Sequence, residues 1–314
     1  MKNNRCIAND VEAVITSYNQ KDMILEAVYS LCNQTMLPAN IIVVDDGSTD
    51  RDSIEILERL KEDKNIPVPI TVVHQSNGGV SKARNTGISK TQSPMVLILD
   101  GDDKLEPSYI EEVRQLLVEN SSMGELAMEE PTMVAASSWM HTFGVLDSIV
   151  CASGGDIVSF LPRNCCPATH MLRREIWEKS GGYDNSMRQG FEDWDFFLSM
   201  LETNSNAHIG IVPKPLICYR TAPASANIKS MEKRLELMRF IIEKHKKSYQ
   251  ENMIDVILGL ESISMSRLYG WETEIGHALL ENQSISQISK DFVKSPSYGD
   301  GGMAAAVRIA SLIK

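Results

Sequence analysis

Four short apolar runs impose the strongest constraint on how this chain can fold. Val11–Ile15, Ile41–Val44, Ile70–Val73 and Met95–Leu99 are separated by segments of helical period. Ile41-Ile42-Val43-Val44 is β-branched with no polar alternation, as in a strand buried on both faces of a parallel sheet. Between the runs, Ile24, Val28, Leu31 and Cys32, and then Ile54, Leu57 and Leu60, recur at helical spacing. Asp50 stands where the second helix would start and suits an N-cap. Val80–Ser89 can form a third helix after the Asn77-Gly78-Gly79 turn. The alternation predicts an α/β, doubly wound sheet flanked by helices.

Sheets of this kind bind ligands beyond the carboxyl ends of their strands, and polar residues collect there. Thr16 and Tyr18 follow the first run, Asp45 and Asp46 the second, and Asp100-Gly101-Asp102-Asp103 the fourth. Asp45 and Asp46 can accept hydrogen bonds from a nucleobase or ribose. They can equally cap the Asp-Gly-Ser turn that follows. Three carboxylates within four residues repel one another unless a cation sits among them, and hard oxygen ligands suit Mg²⁺ or Mn²⁺. A solvated acidic turn is the plainer alternative. Arg84 can clamp phosphate bidentately or form a surface ion pair on its helix.

Several classes are excluded. No G-x-G-x-x-G follows the first run and no P-loop is present. Lys and Arg number 31 against 42 Asp and Glu, a net charge of −11, so no global positive field would hold nucleic acid. No apolar run approaches the ~18 residues of a membrane span, and Met1–Asp10 carries no signal-peptide core. The six cysteines form no C-x-x-C, and the histidines show no zinc spacing. A cytoplasmic protein with reduced thiols is expected, with membrane contact limited to the inner face.

Further along, Arg174–Ser180 predicts a short helix stopped by Gly181-Gly182. Trp194, Phe197, Leu198 and Leu201 mark an amphipathic helix, with Glu192 and Asp193 in its first turn. Acids there complement the helix dipole, but a carboxylate could also serve as a general base. The dipole lowers an Asp pKa, whereas a nearby diphosphate would raise it. Trp194 falls in the apolar stripe and reads as core. Trp139, within the strand-like Met133–Met140, and His170 are more ambiguous.

Thr16-Ser17-Tyr18-Asn19, Val43-Val44-Asp45-Asp46-Gly47-Ser48-Thr49-Asp50, the Asn77–Gly87 segment and Leu99-Asp100-Gly101-Asp102-Asp103 occur in that order. Together they resemble glycosyltransferase family 2, with its GT-A fold, and the likeness runs to about Arg220. The resemblance implies an inverting transferase that moves a sugar from a UDP-sugar to a glycan, lipid-linked or polypeptide acceptor, with Mn²⁺ or Mg²⁺. It assigns Thr16, Tyr18, Asn19, Asp45 and Asp46 to the uracil and ribose end. Arg84, Asp100 and Gly101 fall near the base and phosphates, and Asp102, Asp100 and Asp103 near the metal. Glu192-Asp193 matches the family's Glu-Asp motif, with Asp193 as the general base. Some relatives place a histidine shortly after Tyr219-Arg220, where this chain reads Thr221–Ala226 without one. A phosphohydrolase or nucleotidyltransferase, or a non-catalytic nucleotide-sugar binder, are the competing classes.

The expected organisation is a nucleotide-sugar half over 8–104, an acceptor and catalytic half over 105–228, and a helical C-terminal region over 229–314. Ser295–Gly302 is a Ser/Pro/Gly-rich break, and Ala304–Lys314 a short amphipathic helix. These C-terminal helices suit packing on the catalytic domain or on a second subunit better than membrane binding.

Overall fold

The computed structural model describes residues 6–119, 132–223, 226–281, 283–297 and 300–312. It opens with β1 (Cys6–Ser17), α1 (Met23–Cys32), β2 (Met36–Asp45), α2 (Arg51–Leu60), β3 (Ile70–His74), α3 (Val80–Lys90) and β4 (Met95–Asp100). These are the elements the apolar runs predict, with the first two strands extended toward their N-termini. β1 pairs in parallel with β2 and β4, and β2 with β3. α1 buries Ile24, Ala27, Val28, Leu31 and Cys32, a single apolar stripe. α3 packs closely enough that a Cβ at Gly87 would lie 2.2 Å from Val14 Cγ1.

The chain continues through β5 (Lys104–Leu105), α4 (Tyr109–Glu119), β6 (Thr132–Gly144), β7 (Ser148–Val150), α5 (Ile157–Phe160), β8 (His170–Arg173), α6 (Arg174–Ser180), α7 (Glu192–Leu201) and β9 (Ala207–Thr221). The sheet order is β3-β2-β1-β4-β8-β6-β9-β5, with β7 paired to β6. β8 lies antiparallel to both β4 and β6. The sheet is therefore mixed, and it joins the two expected halves without a break. β2 and β4 flank β1, so the strand order reverses beside β1. That reversal opens a crevice at the carboxyl ends of β1 and β4.

α8 (Ala226–Glu232), α9 (Arg234–Lys244) and α10 (Lys246–Glu251) complete the first of two compact units, Met1–Glu251. This unit runs past residue 228 to Glu251, and α9 and α10 are tied to α7 and to the segment after α5. Lys244 Nζ donates to Asp195, His245 contacts Asp195 and Glu202, and Tyr249 Oη donates to the Leu161 carbonyl.

The second unit, Asn252–Lys314, holds α11 (Met253–Leu280), α12 (Gln287–Lys294) and α13 (Gly302–Leu312). The apolar segments around Ile254 and Ile275 belong to one 28-residue helix, not to several. Arg308 of α13 pairs with Glu272, and Trp271 meets Phe292 edge-on at 4.4 Å. Lys314, and Ala224 and Ser225 of the segment lacking histidine, lie outside the described residues. Among the described residues no helix is long and apolar enough to cross a membrane.

Candidate active site

Thr16 and Asp100 are register partners across β1 and β4, and Thr16 Oγ1 donates to Asp100 Oδ1 at 3.1 Å. Gly101 turns the chain out of β4 against β1. Its N–H donates to the Thr16 carbonyl, and a Cβ there would lie 2.6 Å from that oxygen. The crevice floor is thus built from backbone as tightly as glycine allows.

Arg84 binds the two acidic motifs together. Its side chain, 2% exposed, donates from Nη2 to both Asp100 oxygens at 2.9 and 3.0 Å and from Nη1 to Glu192 Oε1 at 3.3 Å. Its guanidinium lies over the Tyr183 ring at 5.3 Å. Arg84 is therefore neither a surface ion pair nor free to clamp phosphate in this arrangement. Burial works to lower its pKa, but the charge of Asp100 and the influence of Tyr183 and Glu192 hold it above its usual value.

Glu192 and Asp193 open α7 after an abrupt entry. Gly190 and Phe191 both take positive φ, 115° and 64°, rare for a residue such as Phe. Asp193 Oδ1 accepts from the Trp194 N–H at 2.8 Å and Oδ2 from Asn164 Nδ2 at 3.1 Å. Burial raises the pKa of both carboxyls. Desolvation thus outweighs the lowering expected from the helix N-terminus and moves both toward the range where a general base works.

The other acids are placed unequally. Asp103 is buried, and its Oδ1 accepts from the Arg220 N–H; burial, then Asp102, pushes its pKa up to about 8. Asp103 thus supports β9. Asp102 is also raised, first by burial and then by Asp100. Among the described residues its carboxylate accepts no hydrogen bond from another residue's side chain. A divalent cation at Asp102 would relieve that unfavourable charge, so the donor set fits one there. No preformed cage of three His, Cys, Asp or Glu side chains occurs among the described residues. Arg220 donates from Nε to the Asp102 carbonyl and lies over Phe143.

On the opposite flank Asp45 and Asp46 are both buried and both engaged. Asp45 accepts from the Ser48 N–H and contacts His74 Nδ1 at 2.9 Å. Asp46 accepts from Gln75 Nε2 and from the Gly78 and Gly79 N–H groups. The turn-forming role is thus realised for both. Asn19, at φ 53°, accepts from the Thr49 and Asp50 N–H groups and holds the same loop. Tyr18 is 47% exposed.

Trp194 is core, with Nε1 donating to the Phe160 carbonyl. Trp139 donates to the Ala152 carbonyl. His170 is fully buried against Phe197, and burial lowers its pKa to about 3, so it stays neutral. Sequence reasoning missed His74, Asn164 and Tyr183. They lie in no motif, and only the fold brings them to Asp45, Asp193 and Arg84.

The mixed α/β sheet flanked by helices matches the GT-A class of fold seen in solved structures such as TarS. Residues 12–127 match the model of glycosyl transferase family 2. The uncharacterized glycosyltransferase EpsJ of Bacillus subtilis (strain 168) is 34% identical over 110 residues, 35% of this chain and 31% of EpsJ. The chain therefore spans about a third of that relative's length. The uncharacterized glycosyltransferase YwdF of the same organism is 24% identical over 246 residues, covering 75% of this chain and 84% of YwdF. Among solved structures, residues 1–349 of S. aureus TarS in complex with UDP-GlcNAc align with a TM-score of 0.58 at 14% identity, over 78% of this chain and 72% of that one. Residues 12–127 of this chain are thus similar to glycosyltransferase family 2.

Proposed function

We propose that the chain is an inverting glycosyltransferase that moves a sugar from a UDP-sugar to a hydroxyl acceptor. The carrying observation is that the buried Arg84 guanidinium brings Asp100, at the crevice, and Glu192, beside Asp193, into one cluster. Support also comes from TarS, a structural neighbour solved with UDP and with UDP-GlcNAc. The exposed ring of Tyr18 and the hydroxyl of Thr16 suit the nucleoside end. Asp45, Asp46 and Asn19 shape the loop beside it, and Gly101 lets the backbone approach closely.

Asp102 is the leading ligand for Mn²⁺ or Mg²⁺, with Asp100 beside it. A bound cation would stabilise negative charge on the departing diphosphate. Asp193 takes the acceptor hydroxyl proton while the oxygen attacks the anomeric carbon from the face opposite the leaving group. Glu192 and Arg84 fix the local charge. The raised Asp193 pKa strengthens it as a proton acceptor once ionised. Acceptors of the glycan, lipid-linked and polypeptide classes all present the hydroxyl this chemistry needs.

The test is product analysis with a panel of UDP-sugars, UDP-GlcNAc first, in Mn²⁺, Mg²⁺ or chelator. Release of UDP that depends on a cation and is lost in Asp193→Asn is the expected result. Release of UMP and sugar phosphate would instead mark cleavage within the diphosphate, as by a phosphohydrolase.

A further inference from the structure

We propose that Asn164 is a positioning residue for Asp193: its amide fixes the carboxylate's orientation and favours the ionised form. The inference rests on the base assignment above. Asn164 lies in the loop between α5 and β8, where no motif points to it. Its Oδ1 accepts from the Cys166 N–H at 3.1 Å, which leaves Nδ2 as the donor to Asp193 Oδ2. The loop is held at several points. The Gly154 N–H donates to the Cys165 carbonyl, Trp194 Nε1 to the Phe160 carbonyl, and Tyr249 Oη to the Leu161 carbonyl.

Both Asp193 oxygens are thus bound, one by its own helix and one by a separate loop. Two such anchors fix the plane of the carboxylate and leave its remaining lone pairs in set directions. An N–H donated to a carboxylate favours its charged form, opposing the burial that favours the neutral one. The other groups acting on Asp193 are Glu192 on its own helix, Arg84 on α3, Asp100 on β4, Cys166 in the loop, and Tyr183 and Tyr219. Asn164 is exposed, so substitution there adds no cavity.

The test is titration of the Asp193 carboxyl by ¹³C NMR in the full chain, with Asp193→Asn identifying its resonance. Asn164→Ala should raise the midpoint by about one pH unit, and Asn164→Asp, which adds a like charge, by more. The acid limb of UDP release from the turned-over UDP-sugar should move with it, while donor KM and the unfolding midpoint stay put. An Asp193 resonance unmoved in both variants overturns the role of Asn164. A moved resonance with an unmoved acid limb instead overturns Asp193 as the base, and with it the catalytic meaning of Asn164.

Discussion

Arg84 shows most clearly what one side chain contributes here. It is buried between two partly exposed carboxylates, and removing it leaves them close together without their counter-charge. Arg84→Met should cost about 3–5 kcal/mol in urea unfolding, and Arg84→Lys should recover part of it as a single-point donor. Asp103 gives a pH-dependent test. Its folded pKa of about 8 lies above the ordinary 3.8, so the native state holds more protons between those values. The stability it contributes is full below about 3.8 and is lost as pH rises through about 8. Asp103→Asn keeps an acceptor for the Arg220 N–H and cannot ionise. It should be more stable than wild type at pH 8 by on the order of 1–3 kcal/mol, with a smaller gap at pH 5. Each acid's position at a strand or helix end was legible in the sequence. Its partner was not: Arg84 and Glu192 are 108 residues apart, and no local pattern records that contact.

At the scale of elements, α7 is gripped from both sides. Its first turn carries Glu192 and Asp193, and its buried Asp195 receives Lys244 and His245 from the end of α9. Burial alone would lower the His245 pKa, but Asp195 and Glu202 raise it to about 9. That stabilisation is complete below about 6.5 and disappears as pH rises through about 9. His245→Gln should therefore destabilise the first unit by about 3–5 kcal/mol near neutrality, and by less in denaturant unfolding at pH 10. Gly87 lies where α3 packs tightly on Val14 and Val44 of the sheet. Gly87→Ala should cost about 1–3 kcal/mol, read from the thermal midpoint. The helices themselves followed from apolar spacing and caps, and Asp50 caps α2 as expected, accepting from the Ser53 N–H. The docking of α9 and α10 was hidden because it rests on buried charge, which apolar periodicity does not report.

For the whole molecule, the boundary after Glu251 predicts that residues 1–251 unfold as one cooperative transition, measurable by calorimetry. Stopping at 228 would remove Lys244, His245 and Tyr249, and should leave α7 exposed to proteolysis. The doubly wound beginning of the sheet was legible because its strands are local, β-branched and regularly spaced. The antiparallel crossing through β8 was not, since β8 is only four residues long. The same geometry dictates an order of assembly. Arg84 and Asp100 are separated by 16 residues and lie on adjoining segments, so their pairing closes a short loop. Glu192 reaches Arg84 only after a far longer one has closed, and long-range contacts form slowly. During synthesis from the N-terminus, the crevice side of the site can therefore form while the Glu192–Asp193 side is still unmade. Each newly made chain is then expected to pass through an interval in which Arg84 holds Asp100 but not yet Glu192.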